Sequence, residues 1–191
     1  MNVVILNGAL LGDYRLESYQ QILEETLKES ADHLDSVLLN SKNIGTCIGC
    51  FKCWSHTPGE CFQKDDASEI IKKMVHADLL VFLTPLTFGG YSSELKKMIE
   101  RTLGILQPGM LRINGESHHL KRYEKYPSIL GLAVTDRLDE EEIRIFKKLG
   151  DRHSLNFYPP LYRYDVLSSQ QSEEERRKSI TGLLSELEVI Q

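Results

Sequence analysis

Short apolar runs alternate with amphipathic segments along the chain, and this alternation constrains the fold more than any other feature. The apolar runs are typical of buried strands, because they are short, rich in Val, Ile and Leu, and bounded by glycine, proline or polar residues. They lie at 2–8, 36–40, 78–86, 128–134 and 162–167. Between them, apolar residues recur at the spacing of one helix face, as Leu16, Tyr19, Ile22, Leu23 and Leu27 do after the first run.

Strand and helix segments in strict alternation predict an α/β fold, with a five-stranded parallel sheet and helices on both of its faces. Right-handed crossovers leave few strand orders, of which 2-1-3-4-5 is the common one. A length of 191 residues suits one domain spanning 1–191. Two connections, 42–66 and 107–127, are predicted to be long loops, and loops of that length tend to be functional or disordered.

The charge balance and the hydropathy of the chain exclude two classes of partner. A formal net charge of −5 argues against a nucleic-acid surface, which would need a basic stripe. No apolar run approaches about 18 residues, so we expect no membrane span. The apolar start lacks a basic leader, and we expect a cytoplasmic protein.

All four cysteines lie in one segment, as Cys47, Cys50, Cys53 and Cys61. The first three are separated by two residues each, and three thiolates at that spacing can converge within one turn while the fourth closes the site. Four cysteine ligands suit a [4Fe-4S] cluster, and they also suit tetrahedral zinc. The third interpretation is free thiols packed beside Trp54, which could still cycle through a Cys-x-x-Cys disulfide.

The ligand site of such a sheet lies beyond the carboxyl ends of the strands, where the strand order reverses. Here that point falls at the loops after the first and third strands. Backbone groups of the second loop could contact the polar edge of a flat heterocycle, because its glycines permit close approach. The predicted cofactor-binding residues are Gly8, Ala9 and Leu10 in the first loop and Thr84, Pro85, Leu86, Thr87, Phe88, Gly89 and Gly90 in the second.

Three motifs resemble one known family. VVILNG at 3–8, CIGCFKCWSHTPGECFQKDD at 47–66, and TPLTFGG at 84–90 followed by SSELKKMIER at 92–101 are similar to the flavodoxin-like NAD(P)H-dependent FMN reductases, and in particular to the iron-sulfur flavoproteins among them. The resemblance implies a flavodoxin-like three-layer sandwich that binds FMN, takes electrons from NAD(P)H, and forms a homo-oligomer. It also implies that the loop from Thr84 to Gly90 holds the flavin edge and that the four cysteines carry a [4Fe-4S] cluster.

The first loop departs from the pattern of that family. The resemblance implies hydroxyl side chains that hold the FMN phosphate, whereas this chain has apolar residues at Leu10 and Leu11 and a carboxylate at Asp13. A like charge about 5 Å from a phosphate costs on the order of 1–3 kcal/mol, unless Arg15 folds back to compensate for it. Two hypotheses follow. The first is an FMN-dependent oxidoreductase that carries electrons to a small molecule or an electron-transfer protein, and the second is a flavodoxin-shaped binding or subunit protein that has lost flavin.

No catalytic acid or base is predicted, because hydride transfer between nicotinamide and flavin is the chemistry of the cofactors. His118 and His119 lie in the second long loop beside Lys121 and Arg122. This basic group could meet a nucleotide phosphate, but we interpret it as a solvated surface.

Overall fold

A parallel sheet of five strands forms the centre of the protein, and the computed structural model describes residues 1–190. Its order is β2-β1-β3-β6-β7, and every neighbouring pair runs parallel. The strands are β1 (Asn2–Asn7), β2 (His33–Leu38), β3 (Leu79–Pro85), β6 (Ser128–Thr135) and β7 (Tyr162–Ser168). The predicted five-stranded parallel sheet is confirmed. Its strand numbers differ from 2-1-3-4-5, because two further strands, β4 (Leu106–Ile113) and β5 (Glu116–Lys121), precede β6 in the chain.

The helices cover both faces of the sheet. They are α1 (Glu17–Leu27), α2 (Lys52–Ser55), α3 (Ala67–His76), α4 (Ser93–Glu100), α5 (Glu140–Phe157) and α6 (Glu173–Glu186). One apolar cluster unites β1 side chains such as Val3 and Ile5 with α1 and α6, and the other unites Val4 and Leu6 with α3, α4 and α5. This division follows from the alternation of side chains along a strand. No helix within 1–190 is long and apolar enough to cross a bilayer.

The segment predicted as a long loop at 107–127 contains an antiparallel hairpin instead, formed by β4 (Leu106–Ile113) and β5 (Glu116–Lys121). Asn114 and Gly115 make its turn with φ of 51° and 86°. Positive φ at both central residues suits the twist of a hairpin, so the Asn-Gly pair was the sequence signal for these strands. The hairpin buries His118, which contacts Asn156 and Glu116. The interpretation of His118 as a solvated surface residue is therefore wrong.

Candidate functional site

The loops that follow β1 and β3 meet at one close-packed junction. The Gly8 amide donates to the Leu83 carbonyl over 2.8 Å, and the Ser92 hydroxyl donates to the Gly8 carbonyl over 2.5 Å. A Cβ at position 8 would lie 2.7 Å from the Leu95 Cβ, so only glycine fits there. Ser92 is also the N-cap of α4, since its Oγ accepts from the Leu95 amide. The junction thereby fixes the two loops side by side.

Hydrogen bonds fix the start of the first loop, whereas its tip is exposed to solvent. The Ala9 amide donates to the Asn7 side chain over 2.8 Å, and the Ala9 carbonyl accepts from Asn40 over 3.0 Å. Beyond it, the amides of 10–12 have no acceptor within 1–190, and the Leu11 side chain is 95% exposed. A cavity of about 410 Å³ opens beside this tip. Leu11 does not close the entrance of this cavity. The backbone donors that remain for an anion are the amides of 10–12.

The charge of Asp13 is compensated inside the same loop. Arg15 folds back and donates to both carboxylate oxygens of Asp13, over 2.9 and 2.7 Å. The hydrogen bond from Arg15 holds the pKa of Asp13 below its usual value, although burial opposes the shift. Arg15 also donates to Asp136, in the loop after β6, over 3.0 Å. The ion pair therefore removes most of the repulsion that the bare sequence predicts.

Two more carboxylates lie on the cavity wall, among neutral side chains. Glu17 and Glu24 of α1 both line it. The N-terminal end of α1 still presents the positive end of its dipole to the loop. An anionic group would therefore bind at the loop amides and away from the side of the helix.

The second loop ends in a tight turn with a strained tip. Thr87 and Gly90 exchange two backbone hydrogen bonds of 3.0 and 2.9 Å, while Phe88 and Gly89 adopt φ of 49° and 70°. A left-handed conformation is uncommon for a residue with a side chain, and Phe88 is also 93% exposed. A Cβ at position 89 would lie 2.8 Å from Ile145 Cγ2, so α5 supports the turn closely. The result is a rigid loop that presents backbone groups and one aromatic ring.

Thr84, Pro85 and Leu86, which were also predicted to bind the cofactor, make contacts within the protein instead. Thr84 is fully buried, and its hydroxyl accepts from the Ser92 amide over 2.9 Å. Pro85 is the buried last residue of β3. The Leu86 amide donates to the Val134 carbonyl over 2.9 Å. Among 84–90, Phe88 is the exposed residue, and Leu86, Thr87 and Gly90 are half-buried.

A buried ion pair holds the base of the cysteine segment. The Arg101 and Asp65 side chains are 0% and 9% exposed, and they form two hydrogen bonds of 2.6 and 3.0 Å. Arg101 also donates to the Gly45 carbonyl over 2.7 Å and to the Cys61 sulfur over 3.3 Å. Burial alone would raise the pKa of Asp65, but the hydrogen bonds from Arg101 and Gly45 outweigh it and lower that pKa. The ion pair thus joins both ends of the segment to the end of α4.

Within 1–190 the four cysteines form no disulfide, and they lie near one another without forming a ligand set. Cys50 is exposed and the other three are half-buried. Burial raises the pKa of the Cys53 thiol, and the neighbouring cysteines, Cys61 foremost, raise it further. Across 1–190, no three His, Cys, Asp or Glu side chains are arranged to hold a metal ion. In this arrangement the cysteines do not fit a cluster or a zinc ion.

A buried chain of three polar side chains connects the loop after β3 to β7 and α5. The sequence analysis did not predict it. The Tyr91 hydroxyl lies 3.0 Å from both the Tyr164 hydroxyl and Nδ1 of His153. The Tyr164 ring fits between two glycines, because a Cβ at Gly131 or at Gly150 would lie 2.3 Å from it. A lone glycine inside a strand, as at Gly131, is the one sequence signal for such an approach.

The parallel sheet, with helices on both faces and paired loops at its switch point, defines a doubly wound α/β fold. Residues 1–112, more than half of the chain, match the NADPH-dependent FMN reductase family. The chain belongs to that family.

Relatives and solved structures agree with this assignment. An iron-sulfur flavoprotein of Methanocaldococcus jannaschii is 36% identical over 76 residues, which cover 40% of this chain and 38% of that protein. The match thus spans about two fifths of the relative's length. An NAD(P)H:quinone oxidoreductase from Methanothermobacter marburgensis superposes with a TM-score of 0.68 at 16% identity, covering 97% of this chain and 98% of its own. An FMN-dependent NADH-azoreductase from Bacillus anthracis, solved in complex with FMN, gives 0.61 at 14% identity, with 96% and 99% covered. These two structural similarities show the fold.

Proposed function

We propose that the protein is an FMN-dependent oxidoreductase that takes electrons from NAD(P)H. The observation that carries the proposal is the pair of loops at the switch point, where three backbone amides at 10–12 lack a partner within 1–190 beside an open cavity. These amides suit a phosphate, because unpaired backbone donors beside a helix N-terminus bind anions. Family membership supports the same cofactor.

The two loops would hold different parts of FMN. The amides of 10–12 would bind its phosphate, and Arg15 would keep the Asp13 charge from opposing it. The rigid turn from Thr87 to Gly90 would meet the ring edge, with Phe88 beside it. FMN, when bound, supplies the hydride chemistry, so the chain itself needs no acid or base at this site.

The electron acceptor in this proposal is a small redox molecule or an electron-transfer protein. We also propose that the protein forms a homo-oligomer in the cytoplasm. Large apolar side chains stand exposed on the loops around the site, including Leu11, Phe88 and Leu138. A second copy that covered such side chains would remove apolar surface from water.

A [4Fe-4S] cluster on Cys47, Cys50, Cys53 and Cys61 is the less supported part of the proposal. The names of relatives such as the M. jannaschii iron-sulfur flavoprotein favour it, but the arrangement of the four thiols does not fit it. We therefore derive no electron-transfer step through a cluster. Iron, sulfide and zinc analysis of anaerobically purified protein decides among a cluster, zinc and free thiols.

The test of FMN binding compares FMN with riboflavin, which lacks the phosphate. Fluorescence titration of the flavin-free protein is expected to show FMN binding at least about tenfold more tightly, since a phosphate held by amides adds more than about 1.4 kcal/mol. Arg15→Met leaves Asp13 uncompensated and is expected to weaken FMN about ten- to hundredfold while leaving riboflavin unchanged.

Adding Asp13→Asn to that variant supplies the matched control, because it removes the charge that Arg15 neutralises. FMN affinity is expected to recover in the double variant. No FMN binding at micromolar concentrations would overturn the proposal and leave the flavodoxin-shaped subunit without a flavin.

A further inference from the structure

The chain contains two Asn-Gly pairs, and the fold gives them opposite surroundings. One is Asn7-Gly8 at the end of β1, and the other is Asn114-Gly115 at the tip of the β4–β5 hairpin. Asparagine before glycine is chemically labile, because the glycine nitrogen can attack the side-chain carbonyl carbon of the asparagine and no Cβ obstructs its approach. Whether a pair reacts depends on whether the folded chain leaves the attacking nitrogen and the side-chain amide free.

At the hairpin tip both reacting groups are free. Asn114 and Gly115 are exposed. The Gly115 amide donates to no backbone acceptor within 1–190, and a Cβ at position 115 would meet no atom within 4 Å. The one side-chain hydrogen bond made to this turn among the described residues runs from Nε of Arg112 to the Gly115 carbonyl, over 3.3 Å. The nucleophile is therefore unpaired, and the space around it is open.

The turn must change its backbone angles before the two atoms can meet. Its residues Asn114 and Gly115 adopt φ of 51° and 86°, as the hairpin requires. Glycine reaches other backbone angles without steric cost, and the turn lies at the end of a sheet of only two strands. Exposed tips of this kind open locally at the lowest free energy in a protein. The rearrangement therefore leaves the rest of the fold intact.

Every group that would react at Asn7-Gly8 is engaged in a hydrogen bond. The Gly8 amide donates to the Leu83 carbonyl over 2.8 Å. The side-chain oxygen of Asn7 accepts from the Ala9 amide over 2.8 Å, and its side-chain nitrogen donates to Gln20 over 2.6 Å. Asn7 is 3% exposed, and β1 lies between β2 and β3 in the sheet. Attack at this pair would require the opening of a core strand, which approaches global unfolding.

We propose that Asn114 is a site of spontaneous deamidation and that Asn7 is protected from it by the fold. The Gly115 nitrogen bonds to Cγ of Asn114, the bond from Cγ to Nδ2 breaks, and the Gly115 amide proton leaves with the side-chain amide as ammonia. Water then opens the five-membered succinimide at one of its two ring C–N bonds, which gives aspartate or β-linked isoaspartate. No electrons are exchanged, and water is the only co-reactant.

The reaction changes the charge of the hairpin. It adds one negative charge to the formal net charge of −5. Arg112, which bonds the turn and forms no ion pair within 1–190, is available to the new carboxylate. The same hairpin is held to α5 by the ion pair between Glu116 and Arg152, so the new charge forms two residues from that contact. The modification does not involve FMN, so it stands or falls apart from the proposed oxidoreductase function.

Peptide mapping of the full chain tests this inference. The folded protein is incubated at mildly alkaline pH, where the attacking nitrogen loses its proton more readily, and is then digested with trypsin. Asn7 and Asn114 fall in different peptides, 1–15 and 113–121. Mass spectrometry is expected to show the conversion of amide to carboxyl at Asn114 at least about tenfold faster than at Asn7, because reaction at Asn7 first breaks buried hydrogen bonds.

The urea-unfolded chain supplies the reference, because unfolding frees both pairs, and there the two asparagines are expected to react at similar rates. Asn114→Gln would have to close a six-membered ring, so it is expected to abolish the reaction at position 114 in the folded protein and leave Asn7 unchanged. Equal rates at the two pairs in the folded protein, a faster reaction at Asn7, or no reaction at Asn114 while the unfolded chain reacts each overturns the inference.

Discussion

Removing the Arg101 guanidinium is expected to destabilise the protein and loosen the cysteine segment. Arg101→Met deletes four hydrogen bonds, two to Asp65 and one each to Gly45 and Cys61. It also leaves the Asp65 carboxylate buried without its counter-charge. Breaking one partner of a buried pair costs about 3–5 kcal/mol. Asp65 still accepts from the backbone amides of Gly45 and Ala67, so we expect the lower end, about 3 kcal/mol.

Urea denaturation measures this loss. If the unfolding free energy falls by about 2 kcal/mol per molar urea, a loss of about 3 kcal/mol lowers the urea midpoint by about 1.5 M. Arg144→Met is the matched control, because Arg144 forms the same two-point contact with Glu141, over 2.6 and 2.8 Å, but on the surface. Those two side chains are 68% and 63% exposed, so that pair is expected to contribute no more than about 1 kcal/mol.

Cysteine labelling gives a local readout of the same change. Alkylation of Cys61 by iodoacetamide, mapped by mass spectrometry, is expected to be faster in Arg101→Met than in the unaltered protein, since Arg101 holds that sulfur in place. If Arg101→Met and Arg144→Met cost the same free energy, and Cys61 labels at an unchanged rate, the buried pair does not hold this segment.

Two further predictions concern Asp65 and Gly131. Because the pKa of Asp65 is lowered in the folded protein, the stability that this carboxylate contributes is fully present above its unfolded pKa of about 3.9 and is lost as the pH falls through its folded pKa. Urea midpoints measured in acid should show this loss, and Asp65→Asn should remove the pH dependence. Gly131→Ala would place a Cβ 2.3 Å from the Tyr164 ring, and this overpacking is expected to cost about 1–3 kcal/mol, measured as a lower melting temperature; an unchanged melting temperature would show that the ring moves freely.

The sequence by itself determined the sheet and the edge at which the candidate site is proposed. Each strand shows in a short apolar run, because burial on both faces needs apolar side chains throughout, as in the seven buried residues of β3. The N-cap of α4, Ser92, is likewise a local feature, because capping joins residues three apart in the chain. The hairpin turn at Asn114 and Gly115 is equally local, since its positive φ values belong to an Asn-Gly pair. Since the loops of a parallel sheet gather at its carboxyl edge, strand order alone placed the candidate site.

Only the tertiary structure decided which polar side chains meet. Arg101 and Asp65 are 36 residues apart, Tyr91 and His153 are 62 apart, and Arg15 and Asp136 are 121 apart. No local pattern encodes such pairs, because they depend on how helices pack on the sheet and on which charges are buried together. For the same reason, Asp13 appeared in the sequence as an obstacle to an anion, and the fold shows it neutralised. The cysteine spacing likewise allowed a ligand set, whereas the four side chains as packed within 1–190 are not arranged as one.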